Sequence, residues 1–262
     1  MLKLSAPLTK PGLFITGTDT GVGKTVVACG IMSALRQRAS GHRLRLGPCK
    51  PFATGCREGR DGPVQEDVQA LLRFSETRAA VTTVCPQAFR QPAAPAAAAH
   101  AEGRDVDWEA VGTALHELDL AHDALVIEGV GGVLVPLDPK QPRYTVREMI
   151  RAIGYPTLVV CRAELGTLNH TVLTVEALER GGCRVVGLVM NHTAADPSEA
   201  DDPTIATNAH WLERMTGVKV LCRVPRGRDS AMQLEHGRMD PAVQHAISAC
   251  HWGDLFGAAD GK

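Results

Sequence analysis

The sequence lacks long apolar runs and any strong bias of charge. No stretch of the 262 residues approaches the ~18 consecutive apolar residues of a membrane-spanning helix. Residues 1–12 contain two lysines and two prolines but no apolar run typical of a secretory signal. Lysine plus arginine number 28 against 29 aspartates plus glutamates, so charge gives no reason to expect nucleic acid or an anionic membrane as the main partner. The sequence therefore predicts a cytoplasmic protein that acts on neither.

Paired cysteines are also missing. The eight cysteines form no Cys-x-x-Cys pair and the ten histidines form no His-Glu-x-x-His motif, so a zinc site would need ligands from distant parts of the chain. A disulfide framework is not expected in a chain of this length and intracellular character. Cys49 and Cys56 flank a candidate site described below, but the sequence assigns them no role.

Aromatic residues are scarce, at 4% of the chain, so valine, leucine, isoleucine and alanine must fill the core. The hydrophobic fraction of 44% and the charged fraction of 22% are typical of a globular protein. The length suits one sizeable α/β domain. We expect a single domain over residues 1–262, in which residues 1–11 form a flexible N-terminal extension.

Apolar runs typical of buried strands alternate with segments of helical spacing through most of the chain. Pro92 and Pro95 exclude a regular helix before about Ala96, and the glycine-rich residues 57–63 predict a loop. The alternation predicts an α/β fold with a mostly parallel sheet and helices on both faces, in which ligands bind beyond the carboxyl ends of the strands. The predicted strands are 12–17, 44–51, 81–85, 124–128, 157–161, 184–190 and 218–222, and the predicted helices are 24–39, 65–74, 107–121, 169–180, 203–215 and 241–250.

Residues 17–25 (GTDTGVGKT) follow a predicted strand and open a predicted helix, which is the context of a phosphate-binding loop. Glycines let backbone N–H groups approach phosphate oxygens, Lys24 can reach the β- and γ-phosphates, and the Thr25 hydroxyl can bind Mg²⁺. Thr18 stands where the common pattern has its first glycine, because Gly17 comes one residue early. The alternative is a glycine-rich turn without a ligand, but the Gly-Lys-Thr ending favours the phosphate loop.

A second signal is an apolar strand, residues 125–127, that ends in Glu128 and a run of glycines. P-loop proteins place an acidic residue at such a strand end to hold Mg²⁺, directly or through water. A carboxylate that caps the next segment is the alternative. The neighbouring phosphate loop favours the metal role.

A third signal is Lys50, which precedes Pro51 at the end of the second predicted strand. A second ammonium beside the phosphate loop would neutralise charge that develops on a transferred phosphoryl group. Taken alone, this lysine is better explained as a surface residue before a turn.

Together these segments resemble the dethiobiotin synthetase family, from about residue 12 to Pro225. Residues 16–25 match the family's phosphate loop, including its extra residue, and residues 128–132 (EGVGG) match its Glu-Gly-Ala-Gly-Gly segment. The other matches, in chain order, are Lys50-Pro51, Thr54-Gly55, Glu66-Asp67, the loosely patterned Phe89, Pro92, Pro95 and Glu102-Gly103, residues 165–170 (LGTLNH), and Asn191 at a strand end.

This resemblance implies an ATP-dependent ligase of biotin biosynthesis that joins 7,8-diaminopelargonate and CO₂. One amine captures CO₂ as a carbamate, and the carbamate attacks the γ-phosphate of ATP to give a carbamic–phosphoric anhydride. The neighbouring amine then closes the ureido ring, which yields dethiobiotin, ADP and phosphate. The family also implies a homodimer whose substrate sites are shared across the interface.

The resemblance further implies the roles of individual residues. Lys24 and Lys50 would be catalytic, and Thr25, Asp67 and Glu128 would hold Mg²⁺. In the family, the carboxylate of the diamine sits at a helix N-terminus of the partner subunit, here residues 166–169. ATP would contact Thr20, Gly21, Val22, Gly23, Lys24, Thr25, Glu128, Asn191 and Pro225, and the diamine would contact Thr18, Thr54, Gly131, Leu165, Gly166, Thr167, Leu168 and Asn169.

Some positions depart from the family pattern. Gly21 stands where some relatives carry an acidic residue, and Thr54 replaces the commoner serine. Asp67 follows a variable loop, so Asp61 remains a rival metal ligand. The match is weakest after Pro225, where the sequence assigns no further nucleotide contacts.

Three other functional interpretations fit the sequence less well. Partitioning and division-site ATPases carry a signature lysine at the position of Asp19, and this chain has neither that lysine nor a basic stripe or an amphipathic C-terminal membrane helix. Amidases of the cobyric acid type need an additional glutaminase domain, for which this chain is too short. A non-catalytic binding protein on a decayed fold would not be expected to retain Lys24, Lys50 and Glu128.

Overall fold

A computed structural model describes residues 1–38, 44–59, 62–193 and 204–259. Its strands are β1 Gly12–Gly17, β2 Leu46–Cys49, β3 Phe52–Ala53, β4 Arg57–Gly59, β5 Gly62–Val64, β6 Gln87–Ala88, β7 Ala124–Glu128, β8 Pro136–Asp138, β9 Gln141–Thr145, β10 Thr157–Arg162, β11 Val185–Asn191 and β12 Val220–Val224. Its helices are α1 Lys24–Arg38, α2 Glu66–Ser75, α3 Val81–Val84, α4 Pro95–Ala101, α5 Trp108–Ala121, α6 Val146–Ile153, α7 Thr167–Arg180, α8 Thr204–Thr216 and α9 Pro241–Ser248.

Six strands form the central parallel sheet, in the order β12-β11-β10-β1-β7-β2. β1 lies between β10 and β7, with Phe14 opposite Thr157 on one side and Ile127 on the other. Because all six strands run in the same direction, their carboxyl ends meet at one edge, where the phosphate loop follows β1 and Glu128 ends β7. The predicted α/β fold of the P-loop type, with a mostly parallel sheet, is confirmed.

Both faces of this sheet are buried, which explains the unbroken apolar strands. Side chains alternate between two cores, so that Leu13 and Ile15 of β1 face one core while Phe14 faces the other. Helices α1, α2 and α9 supply the first core, and α5, α6, α7 and α8 supply the second. The helices expected on both faces of the sheet are therefore present.

Two local expectations were wrong, and one hairpin was not predicted. Residues 81–85, predicted as a strand, contain the short helix α3, and residues 57–63, predicted as a loop, contain part of the β4–β5 hairpin. Prolines at 136, 139 and 142 obscured a second hairpin, β8–β9. That hairpin leads into α6, whose capping box of Thr145 and Glu148 is a sequence signal that was overlooked.

The N-terminal residues 1–11, for which we expect a flexible extension, contact the domain through a few anchoring residues. The side chains of Leu2 and Leu8 are buried in the second core. The Asp119 carboxylate on α5 accepts hydrogen bonds from the backbone N–H groups of Thr9 and Lys10, at 2.9 and 2.8 Å, and from the Thr9 hydroxyl at 2.7 Å. These contacts anchor the segment because a buried carboxylate requires such donors.

All eight cysteines lie in the described part of the chain, and none of them forms a disulfide there. Seven of the eight side chains are buried, Cys49 and Cys56 among them, and only Cys250 is half-buried. Within the described residues, no helix combines the length and the apolar character that crossing a membrane requires.

Candidate active site

The phosphate loop, which connects β1 to α1, is supported by the end of β11. Asn191 ends β11, and its side-chain amide donates a 3.0 Å hydrogen bond to the carbonyl of Val22. Gly23 has φ of +91°, and a Cβ at this position would overlap the amide of Asn191. Only glycine satisfies both the backbone conformation and the close approach, so this contact fixes the shape of the loop.

Lys24, the first residue of α1, folds back along the loop. Its ammonium donates to the carbonyls of Asp19, at 2.7 Å, and Gly131, at 2.9 Å. The second contact joins the phosphate loop to the glycine segment that follows β7. The arrangement places one buried cation between the two glycine-rich loops.

Lys50 lies between two carboxylates at the carboxyl edge of the sheet. Its ammonium contacts Asp67 in the first turn of α2 and donates to Glu128 Oε1 at 2.9 Å. The Thr25 hydroxyl donates to the same Glu128 oxygen at 2.8 Å. The four side chains that the sequence placed in separate motifs therefore converge on one point, whereas Asp61 lies outside the described residues.

Burial and mutual charge shift the pKa values of this cluster. Burial raises the pKa of Glu128, although Lys50 opposes the shift. Burial also acts to raise the pKa of Asp67, but the ammonium of Lys50 outweighs it and the net shift is downward. For Lys50, burial disfavours the ammonium, but Glu128 and Asp67 outweigh burial and raise the pKa. Burial lowers the pKa of Lys24 to about 8, against the attraction of Glu128.

A cleft of ≈ 740 Å³ opens above this cluster. It is large enough for a nucleotide-sized ligand or a smaller substrate. Its lining includes many of the residues that the sequence and the resemblance singled out, namely Thr20, Gly21, Gly23, Lys24, Thr25, Lys50, Thr54, Asp67, Glu128 and Gly131.

Four other predicted residues lie outside that lining. Val22 is a fully buried residue of the loop, and the Asn191 side chain is bound to the Val22 carbonyl. The Thr18 backbone N–H donates to Val160 at 3.0 Å, which ties the loop to β10. Pro225 is exposed just after β12.

The predicted substrate segment 165–169 also lies away from the cleft. Gly166 adopts φ of +90° and starts α7, while Leu165 is 81% exposed. Thr167 is buried and Asn169 is exposed, and Leu168 is half-buried. A helix N-terminus that faces solvent presents unpaired N–H groups, which suits an anion.

The donor set of the cluster fits a magnesium ion. Glu128 Oε2 is buried and has no hydrogen-bond partner in the described residues, and such an isolated carboxylate oxygen is costly unless a cation or water binds it. Among those residues, no three histidine, cysteine or acidic side chains converge on a metal position. Two carboxylates and the Thr25 hydroxyl instead suit Mg²⁺, which keeps waters and phosphate oxygens as its other ligands.

Three parts of the cleft were not predicted from the sequence. Gln65 lies beside Asp67, residues 92–95 form one wall, and Leu234 reaches in from the C-terminal part of the chain. The prolines at 92 and 95 were noted as helix breakers and as part of a loop that matches the family, but neither was assigned to the site. Leu234 carries no local signal, because its position depends on how residues 234–236 pack against α2.

Comparison with known proteins identifies the family of this chain. A family model described as an AAA domain matches residues 11–233. An ATP-dependent dethiobiotin synthetase BioD from Anaeromyxobacter dehalogenans is 44% identical over 220 residues, which cover 84% of this chain and 92% of the relative. The enzyme of the same name from Bacillus subtilis is 35% identical over 215 residues, which cover 82% and 87%.

Solved structures show the same fold at low identity. A ParA family ATPase from Chlorobium tepidum has a TM-score of 0.53 and 14% identity, over 93% of this chain and 97% of that one. The MinC:MinD complex of Aquifex aeolicus has a TM-score of 0.52 and 14% identity, over 92% and 93%. These likenesses concern the fold alone, whereas the sequence relatives share most of their length with this chain. The chain belongs to the ATP-dependent dethiobiotin synthetase family.

Proposed function

We propose that the protein is an ATP- and Mg²⁺-dependent dethiobiotin synthetase that acts on 7,8-diaminopelargonate and CO₂. The observation that carries the proposal is the convergence of Lys24, Lys50, Asp67 and Glu128 on one cleft beside the phosphate loop. In the proposed reaction, an amine of the diamine captures CO₂ as a carbamate, and the carbamate oxygen attacks the γ-phosphate of ATP. The second amine then attacks the resulting carbamic–phosphoric anhydride, closes the ureido ring and releases phosphate.

Charge neutralisation is the main task of the site in this reaction. The carbamate is an anion that must approach a triphosphate, so cations have to offset their repulsion. Lys24 follows the glycines of the phosphate loop, and Lys50 donates to the same oxygen of Glu128 as the Thr25 hydroxyl. We assign Lys24 to the β- and γ-phosphates and Lys50 to the transferred phosphoryl group.

Thr25, Asp67 and Glu128 would hold the metal ion. When bound, Mg²⁺ supplies positive charge to the phosphate oxygens of ATP. The Thr25 hydroxyl is an oxygen ligand at the start of α1, and Glu128 presents the partnerless Oε2 described above. Asp67 carries a lowered pKa because Lys50 outweighs the effect of burial, so it is ionised and able to bind a cation at neutral pH.

The diamine and the nucleoside would occupy the two ends of the cleft. Thr54 and Gly131 line it, and Thr18 lies beside it, so these residues are proposed to contact the carbamate or the diamine. Asn191 ends β11 and Pro225 follows the neighbouring strand β12, and we assign both residues to the adenine side.

A homodimer would complete the substrate site. Residues 165–169 begin α7 but do not line the cleft of their own chain. Their exposed helix N-terminus suits the carboxylate of the diamine, and the exposed Leu165 suits a contact with a second copy. We propose that each subunit supplies this segment to the cleft of its partner in a cytoplasmic dimer.

The test is phosphate release from MgATP with and without 7,8-diaminopelargonate and bicarbonate, together with mass spectrometry of the product. We expect release that requires both compounds and the appearance of dethiobiotin. Release that does not depend on the diamine would instead indicate a nucleotide-driven switch of the kind that shares this fold. No release under any condition would contradict the assignment of ATP.

A further inference from the structure

Gln65 lies at the edge of the metal-binding cluster and is not explained by its place in the fold. It is the residue immediately before α2, yet its side chain makes no capping hydrogen bond to that helix. The side chain turns into the cleft, where its Nε2 donates a 3.0 Å hydrogen bond to Asp67 Oδ2. The side chain is therefore directed at the carboxylate that the proposed function assigns to Mg²⁺.

The orientation of the Gln65 amide follows from this contact. Carboxylate oxygens accept hydrogen bonds, so the atom that faces Asp67 must be the NH₂ group. Lys50 contacts the same oxygen, so neither donor occupies Oδ1 of Asp67. Two donors therefore converge on one oxygen of the Asp67 carboxylate and restrict its rotation, and Asp67 also interacts with the Thr25 hydroxyl.

The carbonyl of Gln65 is left without a donor. Oε1 is buried and has no hydrogen-bond partner among residues 1–38, 44–59, 62–193 and 204–259. Glu128 Oε2, in the same cleft, is also buried and also lacks a hydrogen-bond partner among those residues, and Glu128 as a whole is only 1% exposed. Two buried acceptors without donors, on either side of Asp67 and Lys50, require a ligand that supplies positive charge or O–H groups.

We propose that Gln65 is a positioning residue of the magnesium site, whose amide nitrogen orients Asp67 and whose carbonyl accepts a hydrogen bond from a water bound to Mg²⁺. This inference rests on the proposed function. Groups that orient metal ligands commonly contribute to affinity without touching the metal. Thr25, Asp67 and Glu128 would hold the ion, whereas Gln65 would act through Asp67 and through a bound water.

The experiment measures how ADP binding depends on Mg²⁺, by isothermal titration calorimetry of the full chain at a series of Mg²⁺ concentrations. Gln65→Met has nearly the same volume but lacks both polar atoms, and Gln65→Ala serves as a second variant if the first is poorly folded. The control is Gln69→Met, one turn along the same helix and outside the cleft lining. Thermal unfolding of each ligand-free variant reports any structural damage.

We expect Gln65→Met to raise the Mg²⁺ concentration needed for half-maximal ADP binding about ten- to a hundredfold, as for other groups that orient metal ligands. ADP binding in EDTA and thermal unfolding should remain as in the unmodified protein, and Gln69→Met should change none of these quantities. An unchanged Mg²⁺ requirement in Gln65→Met would overturn the inference. If ADP binding by the unmodified protein showed no Mg²⁺ dependence, the metal site of the proposed function would fail first, and the inference with it.

Discussion

Lys50 is buried between Asp67 and Glu128. Because its charge is paired, changing the partner as well as the lysine separates the effect of Lys50 on catalysis from its effect on stability. The ion pair offsets the cost of burying Glu128, which lies at the end of a fully buried strand. Removing only the lysine leaves an uncompensated charge, whereas removing both charges does not. The two effects can therefore be measured independently.

The prediction is that Lys50→Met lowers the free energy of unfolding by about 3–5 kcal/mol, as for other broken buried pairs. It should also lower turnover by a factor of about 10²–10³, since loss of one preorganised charge donor costs about that much. The double variant Lys50→Met/Glu128→Gln should recover most of the stability and none of the activity. Chemical denaturation and steady-state dethiobiotin formation provide the two measurements, and recovery of activity in the double variant would contradict the catalytic role of Lys50.

At the scale of single elements, the strands were the easiest to predict. Burial on both faces makes each central strand a continuous apolar run, and this run is visible without knowledge of the partner strands. The helix at Val81–Val84 was missed because its β-branched residues favour a strand locally, and its contacts with α5 decide the outcome. Short hairpins rich in proline and glycine gave no periodic signal.

The N-terminal segment is the element whose predicted mobility differs most from its observed packing, and its anchor is Asp119. Hydrogen bonds from Thr9 and Lys10 lower the pKa of this carboxyl, although burial opposes them. A carboxyl with a lowered native pKa adds stability above its unfolded pKa of ~3.9, and this contribution disappears as the pH falls through the native value. The anchor should therefore be fully effective at neutral pH and weaken in acid.

Accordingly, Asp119→Ala should lower the free energy of unfolding at pH 7 by about 1.5–3 kcal/mol, the usual range for hydrogen bonds to a charged group. The difference from the unmodified protein should shrink below about pH 4, where the unfolded chain binds the proton. Hydrogen exchange of residues 2–10 should become faster in the variant, while Glu117→Gln, an exposed change on the same helix, should leave it unaltered. A stability difference that is constant from pH 3 to pH 7 would show that the charge of Asp119 plays no part.

At the scale of the whole molecule, sequence alone predicted the phosphate loop and Glu128, because each follows a strand in a recognisable local context. Lys50, which alone is typical of a surface position, was assigned to the site only together with these motifs. The resemblance to a family added Asp67, which no local pattern separates from Asp61. The positions of Gln65 and Leu234 could not be predicted from the sequence, because their presence in the cleft depends on the packing of α2 against two distant segments. The proposed shared substrate site would likewise be a property of a dimer and not of one chain.

That assembly leads to a complementation experiment. Lys24→Ala disables the phosphate loop, and Asn169→Asp places a carboxylate at the helix N-terminus proposed to bind the substrate carboxylate of the opposite cleft. If sites are shared in a symmetric dimer, refolding the two variants together in equal amounts should restore about a quarter of the normal activity, because half of the dimers are hybrids with one intact site. Activity no higher than the average of the separate variants would place the substrate site within a single chain, and analytical ultracentrifugation would check that dimers had formed.

The seven buried cysteines have a practical consequence for following how the domain opens. Cys29 lies in the first core, Cys161 lies in the second, and Cys85 lies in a third, smaller apolar cluster with Ala53, Cys56, Val68 and Val84. A thiol-reactive dye reaches such side chains only during transient opening, so the rate at which each one is labelled reports the opening of its own region. Peptide mapping after timed labelling would then rank the regions by local stability, without introducing a single mutation.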